Sequence, residues 1–300
     1  MRRLFLLAGI WGWSFLLIKV AVGGLAPAAV TFARVSLGMV VLLVVVRARG
    51  LRLPAGREAW RHFVVVGLFG SAIPFTLLAW GEQHIPSALA AVLNAATPLF
   101  AALLVATFLG QRLGRAQSIG LLLGFAGVGV AAGLGASDLG GTSLAGEAAA
   151  VGAGACYAIA ITYAKRHLSS LSPLVAAAGQ LVTATALTLP VAVATTVREG
   201  IDLTPRRVLA VALLGALGTG LAYVLFYRVI ADLGPTMASA VTYLVPVMAV
   251  TVGVLFLHEP FHLRLLAGGG LIVGGILLLN GQGVRPRERT EAVPPEAIPH

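Results

Sequence analysis

Apolar positions along this chain fall in long continuous runs, a pattern that the core of a soluble protein does not require. About 20 apolar residues in a helix cross the ~30 Å hydrocarbon layer of a bilayer. Ten runs meet that measure: residues 4–22, 28–46, 61–81, 87–109, 116–134, 145–164, 172–197, 208–228, 235–257 and 263–281. Short polar or Gly/Pro-containing segments separate them, among them Gly23-Gly24…Pro27, Glu82–Pro86, Ser137–Thr142, Asp232–Pro235 and His258–His262. The pattern predicts an all-α polytopic membrane protein of ten transmembrane helices. Residues 282–300, charged and Pro-rich, predict a disordered tail.

Composition strengthens this reading. Charged residues make up 11% of the chain and apolar residues 58%, whereas a soluble protein carries about 25% charge. There are too few charges to cover a water-exposed surface. The net charge of +10 does not imply nucleic acid, because the basic residues sit in short clusters between apolar runs, as in membrane proteins. The lone Cys156 excludes a disulfide scaffold and a cysteine zinc site. The 37 glycines suit helices whose backbones approach closely in lipid, and the GxxxG pairs Gly120/Gly124 and Gly270/Gly274 are expected to pack in this way.

Loop charge sets the expected orientation. With the N-terminus in the cytoplasm, Arg2, Arg3, the five arginines of 47–61, Arg112, Arg115, Lys165, Arg166, Arg228 and three in the tail fall inside. Arg198, Arg206, Arg207 and Arg264 fall outside, together with Lys19 at a helix end. Both termini are therefore expected to be cytoplasmic, in an inner or plasma membrane. The cluster at 198–207 runs against the rule.

The chain also matches itself. A shift of 148 residues lays Gly67 on Gly215, Gly70 on Gly218, Pro98 on Pro246, Gly120 on Gly268 and Gly127 on Gly275. A shift of 146 lays Lys19 on Lys165, Pro27 on Pro173 and Arg34 on Gln180. Residues 4–134 and 145–281 thus read as two copies of a five-helix unit. Five is odd, so the second copy must enter the membrane from the opposite face. Inverted repeats of this kind are associated with secondary transporters, whose substrate sites lie near the midplane where the copies meet.

These residues resemble a known family. Gly9-Ile10-Trp11-Gly12-Trp13-Ser14-Phe15…Lys19, followed by Phe32-Ala33-Arg34, is similar to the opening helices of EamA-type members of the drug/metabolite transporter superfamily. Pro98-Leu99-Phe100-Ala101-Ala102 and Pro246-Val247-Met248-Ala249 resemble its fourth and ninth helices, and Glu259…Gly268…Leu271…Gly275 its ending. The first copy keeps that last spacing with Gln111 in place of the acid, which suggests packing or capping rather than coupling at Glu259. The resemblance implies ten helices, two tandem domains, and export or exchange of small metabolites such as amino acids; the inverted repeat adds alternating access as the expected mechanism.

Candidate substrate residues follow from depth. Pro98 and Pro246 lie mid-run, where a proline frees a carbonyl that must find another partner in lipid. Asn94 and Thr242 precede them by four residues on the same helical face, and Thr97 and Tyr243 flank that surface. These groups either line a cavity or join neighbouring helices by hydrogen bonds. Trp13, Ser14 and Tyr157 lie near the middles of the first and sixth runs, and Tyr223 falls on Phe75 in the repeat. Arg34 stands about two turns inside the membrane, to bind a substrate carboxylate or to snorkel outward. Lys19 is expected to snorkel, and Glu82 with His84 to lie in a solvated loop.

With no acid expected at mid-membrane, facilitated diffusion or exchange is favoured over proton coupling. His258-Glu259-Pro260-Phe261-His262 matches the zinc-protease HExxH pattern, but that pattern needs both histidines on one helix face. Pro260 is best suited to the first turn of a new helix, which leaves His258 outside it. An intramembrane metal enzyme and a passive channel remain the rival classes. The carrier reading calls for no cofactor or metal. Its partners are a small-molecule substrate and the bilayer, no nucleic acid, and a monomer suffices.

Overall fold

The computed structural model describes residues 2–108, 113–133 and 142–280, without the side chains of 108, 142, 143 and 234–239. The expected tail, Gln111 and most of the 137–142 segment lie outside the described residues. The described chain is all helical. Its elements are α1 (Arg2–Ala21), α2 (Pro27–Ala48), α3 (Arg57–Gly67), a π-helical turn (Leu68–Ala72), α4 (Ile73–His84), α5 (Ser87–Asn94), α6 (Thr97–Phe108) and α7 (Arg115–Ala132). Then come α8 (Thr142–His167), α9 (Pro173–Glu199), α10 (Pro205–Gly215), a second π-turn (Ala216–Leu221), α11 (Ala222–Ser239), α12 (Val241–Leu257) and α13 (Leu263–Asn280). Among the described residues nine helical spans are long and apolar enough to cross a membrane, and α12 is a shorter apolar helix. Side chains such as Leu122, Val197, Val247 and Leu255 are exposed on the outside of the bundle. That is the inverse of a water-facing surface and suits contact with lipid.

Two expectations about boundaries are corrected. The run 87–109 is not one helix: it breaks at residues 95 and 96, before Pro98, into α5 and α6. Pro98 has no N–H for the carbonyl of Asn94, and the Thr97 hydroxyl donates to that carbonyl at 2.8 Å instead. The ninth run begins at Val241, not 235, because α11 continues helically through Pro235 to Ser239. In the first half the matching junction does break, with Ile85 held extended before Pro86.

Packing follows the glycines. A Cβ at Gly120 would lie 2.6 Å from the Gly275 carbonyl oxygen, and one at Gly127 would lie 2.7 Å from the Gly268 carbonyl oxygen. Low residue numbers on α7 thus meet high ones on α13, so the two helices run antiparallel with backbones in contact. The expected Gly270/Gly274 pair does not make the close approach: a Cβ at Gly270 would meet nothing within 4 Å, and one at Gly274 would make only an ordinary 3.7 Å contact with Leu123 of α7. Gly268 and Gly275 face α7 in its place.

The internal match recurs in three dimensions. The two π-turns lie 148 residues apart, beginning next to Gly67 and Gly215. A Cβ at Gly67 would lie 3.0 Å from the Gln180 carbonyl oxygen, and one at Gly215 would lie 3.1 Å from that of Arg34. A Cβ at Gly70 would touch Ala160, and one at Gly218 would touch Ser14. Each contact becomes the other when the two halves are exchanged. Helix α1 packs on α10, α11 and α12, while α8 packs on α3, α4, α5 and α6, so each opening helix is buried against the opposite half. The end of the bundle where α1 starts is called the near end below. The far end holds the end of α1, the α4–α5 junction and the α12–α13 junction.

Candidate substrate site

The two π-turns converge on α2 and α9 at the centre of the bundle, and the polar side chains there are the least expected in lipid. Arg34 of α2 is 6% exposed. Its Nε donates to Thr219 Oγ1 of the second π-turn at 2.8 Å, and its guanidinium carbon lies 3.7 Å from the Phe75 ring centroid. Thr219 in turn donates to the Leu214 carbonyl, five residues back, a bond that the π-turn geometry permits. On the other side Gln180 Nε2 donates to Ser71 Oγ of the first π-turn at 2.9 Å and approaches the Tyr223 hydroxyl at 3.4 Å. Arg34 with Thr219 and Phe75, and Gln180 with Ser71 and Tyr223, are matching sets under the internal repeat. Tyr157 packs edge-on against Phe75, the ring that carries the guanidinium. Tyr223 stacks on Tyr227, which continues through Phe226 to Trp11. A guanidinium, an amide and an aromatic wall therefore share the middle of the bundle.

Among the expected residues, Arg34, Tyr157 and Tyr223 meet here, and Ser14 adjoins through Gly218. Arg34 is held inside and does not snorkel. The Ser14 hydroxyl is taken up by the Ile10 carbonyl of its own helix. Asn94 and Thr97 lie beside Gly154 of α8, one turn before Tyr157, and the Asn94 Oδ1 is buried with no hydrogen bond. Pro98 opens α6, and Pro246 is buried within α12. Tyr243 is half-buried and its hydroxyl accepts from Asn280 Nδ2, while neighbouring Thr242 is also partly buried on α12. Trp13 is 38% exposed and packs on exposed Phe256 at the surface. Sequence reading missed Phe75, Ser71, Thr219 and Gln180 as a group. The signal for it was the pairing of Arg34 with Gln180 and of Gly70 with Gly218.

The segment 258–262 does not form one helix: His258 is left-handed (φ 54°) at the end of α12, and α13 starts only at Leu263. Glu259 accepts hydrogen bonds from the Ser87 and Ala88 amides at 2.7 and 3.0 Å. It therefore caps α5, as the Gln111 substitution in the first copy suggested. The geometry of a zinc-protease helix is not formed.

Comparison with known proteins agrees with the fold. The EamA-like transporter family matches residues 3–132 and again 144–281. This chain belongs to the EamA-like transporter family. Among its relatives are a probable terminal-alkyne amino-acid exporter of Streptantibioticus cattleyicolor, 30% identical over 90% of this chain and 89% of that protein. The uncharacterized transporter YvbV of Bacillus subtilis is 28% identical over 90% and 88%. An uncharacterized transporter of Archaeoglobus fulgidus is 26% identical over 90% and 94%. A solved crystal structure, 23% identical, shares the fold with a TM-score of 0.63 over 91% of this chain and 98% of that one. The family and these relatives are transporters, which points away from an enzyme.

Elsewhere in this EamA-family transporter, the far end differs from expectation. Glu82 is not in a solvated loop: α4 runs on to His84, and Glu82 is 0% exposed. Lys19 does not snorkel, because its ammonium donates to the main-chain carbonyls of Glu82 and Ile85, the latter at 2.9 Å. It closes the end of α4, where carbonyls lack partners. The basic cluster at 198–207 also gains a role: Arg207 is ion-paired with Asp202 and donates to the Gly23 carbonyl, which ties the α9–α10 loop to the α1–α2 loop. We expect Glu259→Ala to lower stability by about 1 kcal/mol, the worth of a helix cap, and to leave substrate preference unchanged. Thermal unfolding in detergent, beside a transport assay, checks both.

Proposed function

We propose that this chain exports a small amphipathic amino acid by alternating access, with the substrate carboxylate on Arg34 and its apolar side chain against Phe75, Tyr157 and Tyr223. One observation carries this reading. The buried guanidinium uses Nε alone, and among the described residues its terminal nitrogens make no hydrogen bond. A charge so placed is costly unless a ligand or partner meets it, and a carboxylate fits the N–H groups of the two terminal nitrogens. The relative named a probable amino-acid exporter supports the same substrate class.

The carrier cycle rests on two inverted units, residues 4–134 and 145–281, related by a two-fold axis in the membrane plane. The exchange of Arg34–Thr219 with Gln180–Ser71, and the antiparallel α7–α13 contact, support it. Such units interconvert by exchanging conformations around a fixed central site. All the residues invoked come from one chain, so a monomer suffices.

The test is counterflow in proteoliposomes across a panel of amino acids and other small metabolites. Saturable exchange that prefers amphipathic amino acids is the expected result. Uptake that neither saturates nor shows counterflow would mark a passive channel and remove the carrier reading. Loop charge further predicts that both termini are cytoplasmic in the inner or plasma membrane. Tags at either end should resist protease added to spheroplasts, and cleavage of one would reverse the orientation.

A further inference from the structure

The far end of the bundle holds a carboxylate that the substrate site does not use. Glu82 is completely buried, and neither of its carboxyl oxygens has a hydrogen-bond partner. Neither nearby cation bonds the carboxyl. Lys19 of α1 gives its ammonium to the Glu82 and Ile85 carbonyls, and Arg34 of α2 gives its Nε to Thr219. Glu259, from the α12–α13 segment, interacts with Glu82 as a like charge while its oxygens hold the Ser87 and Ala88 amides. On α8, Glu147 interacts with Arg264, and on α4 itself His84 lies on the Trp80 ring and bonds the Trp80 carbonyl. The α5 face offers the Ser87 hydroxyl, which is itself unpartnered. Beside it α4 packs tightly on α8, since a Cβ at Gly81 would lie 3.0 Å from the Gly146 carbonyl oxygen of α8.

An ionised carboxylate with no donor, sealed from water, costs several kcal/mol, and a buried group of this kind sheds its charge by taking up a proton. A metal cation does not suit the place, because the Lys19 ammonium occupies the carbonyls that would coordinate it. We propose that Glu82 is a proton-binding site that closes the far end. The carboxylate takes one proton from solution as α4 seals against α8 and α1, and returns it when that end opens and water reaches the oxygens. Binding is tighter in the closed form, so acid on the far side favours closure and alkali favours opening. The gating consequence rests on the alternating-access reading, whereas the proton site itself does not.

Two measurements on the full-length protein test this without any substrate. Infrared difference spectra between acid and neutral pH should contain a protonated-carboxyl stretch that is lost in Glu82→Gln. Labelling by an impermeant maleimide then reads the opening. Ser87→Cys in a Cys156→Ser background places a thiol at the sealed junction, with rates normalised at each pH to the denatured protein. From about pH 5 to about pH 8 the normalised rate should rise at least about tenfold with Glu82 present, since one pH unit of linkage is tenfold in an equilibrium. With Glu82→Gln, the neutral mimic, it should stay at the low value throughout. No carboxyl band assignable to Glu82, or the same labelling profile in both proteins, overturns the proposal. Loss of counterflow with the band intact would sink the carrier cycle and leave the proton site standing.

Discussion

Arg34→Gln should lower transport by about ten- to a hundredfold, the worth of about 1.5–3 kcal/mol for hydrogen bonds to a charged group, without weakening the fold. The guanidinium has one hydrogen bond, to Thr219, and lies on Phe75. Among the described residues Arg34 has no ion-pair partner, so a neutral replacement removes a desolvation cost without breaking a buried pair. A purely structural arginine would behave in the opposite way, with transport falling only as far as the folded fraction does. Arg34→Lys keeps the charge but loses the planar fork that grips a carboxylate in two places. It should fall between wild type and Gln. Counterflow rates normalised to monodisperse protein, beside the midpoint of thermal unfolding, separate the two cases. Near-normal transport by Arg34→Gln would remove the carboxylate anchor.

Gly275→Leu should prevent accumulation of folded protein or lower its stability by about 3 kcal/mol, the upper range for overpacking a tight contact. A Cβ there would lie 2.4 Å from the Gly120 carbonyl oxygen and 2.6 Å from the Gly124 amide nitrogen. Both obstacles are main chain, so no side chain can rotate aside, and α7 and α13 would have to move apart. Gly270→Leu on the same helix is the control: a Cβ there meets nothing within 4 Å, and a change of at most about 0.5 kcal/mol is expected at such a site. Equal losses for both would show that glycine matters on α13 for its backbone alone, not for the approach of α7.

Several parts of this architecture were legible because lipid imposes a simple rule. Every buried backbone group must be bonded within a helix, so run length alone predicted the helices, and Gly and Pro positions predicted the repeat. The same reasoning was less able to place side chains that depend on a neighbour. Glu82 read as a solvated loop residue and Lys19 as a snorkelling one, and only the packing of α1 against α4 places them in one sealed junction. Gly270/Gly274 and Gly268/Gly275 are equally glycine-rich patterns on one helix. Which pair meets α7 depends on the rotation of α13, which its own sequence does not specify.

The chain by itself determined the helical spans and the membrane setting, because hydrophobic length acts locally along the polypeptide. Tertiary structure alone decided that Arg34 meets Thr219 and Gln180 meets Ser71, and that Glu82 loses all contact with water. Those facts depend on helices far apart in sequence reaching one place, where the distance between side chains, and not their order, sets the energy.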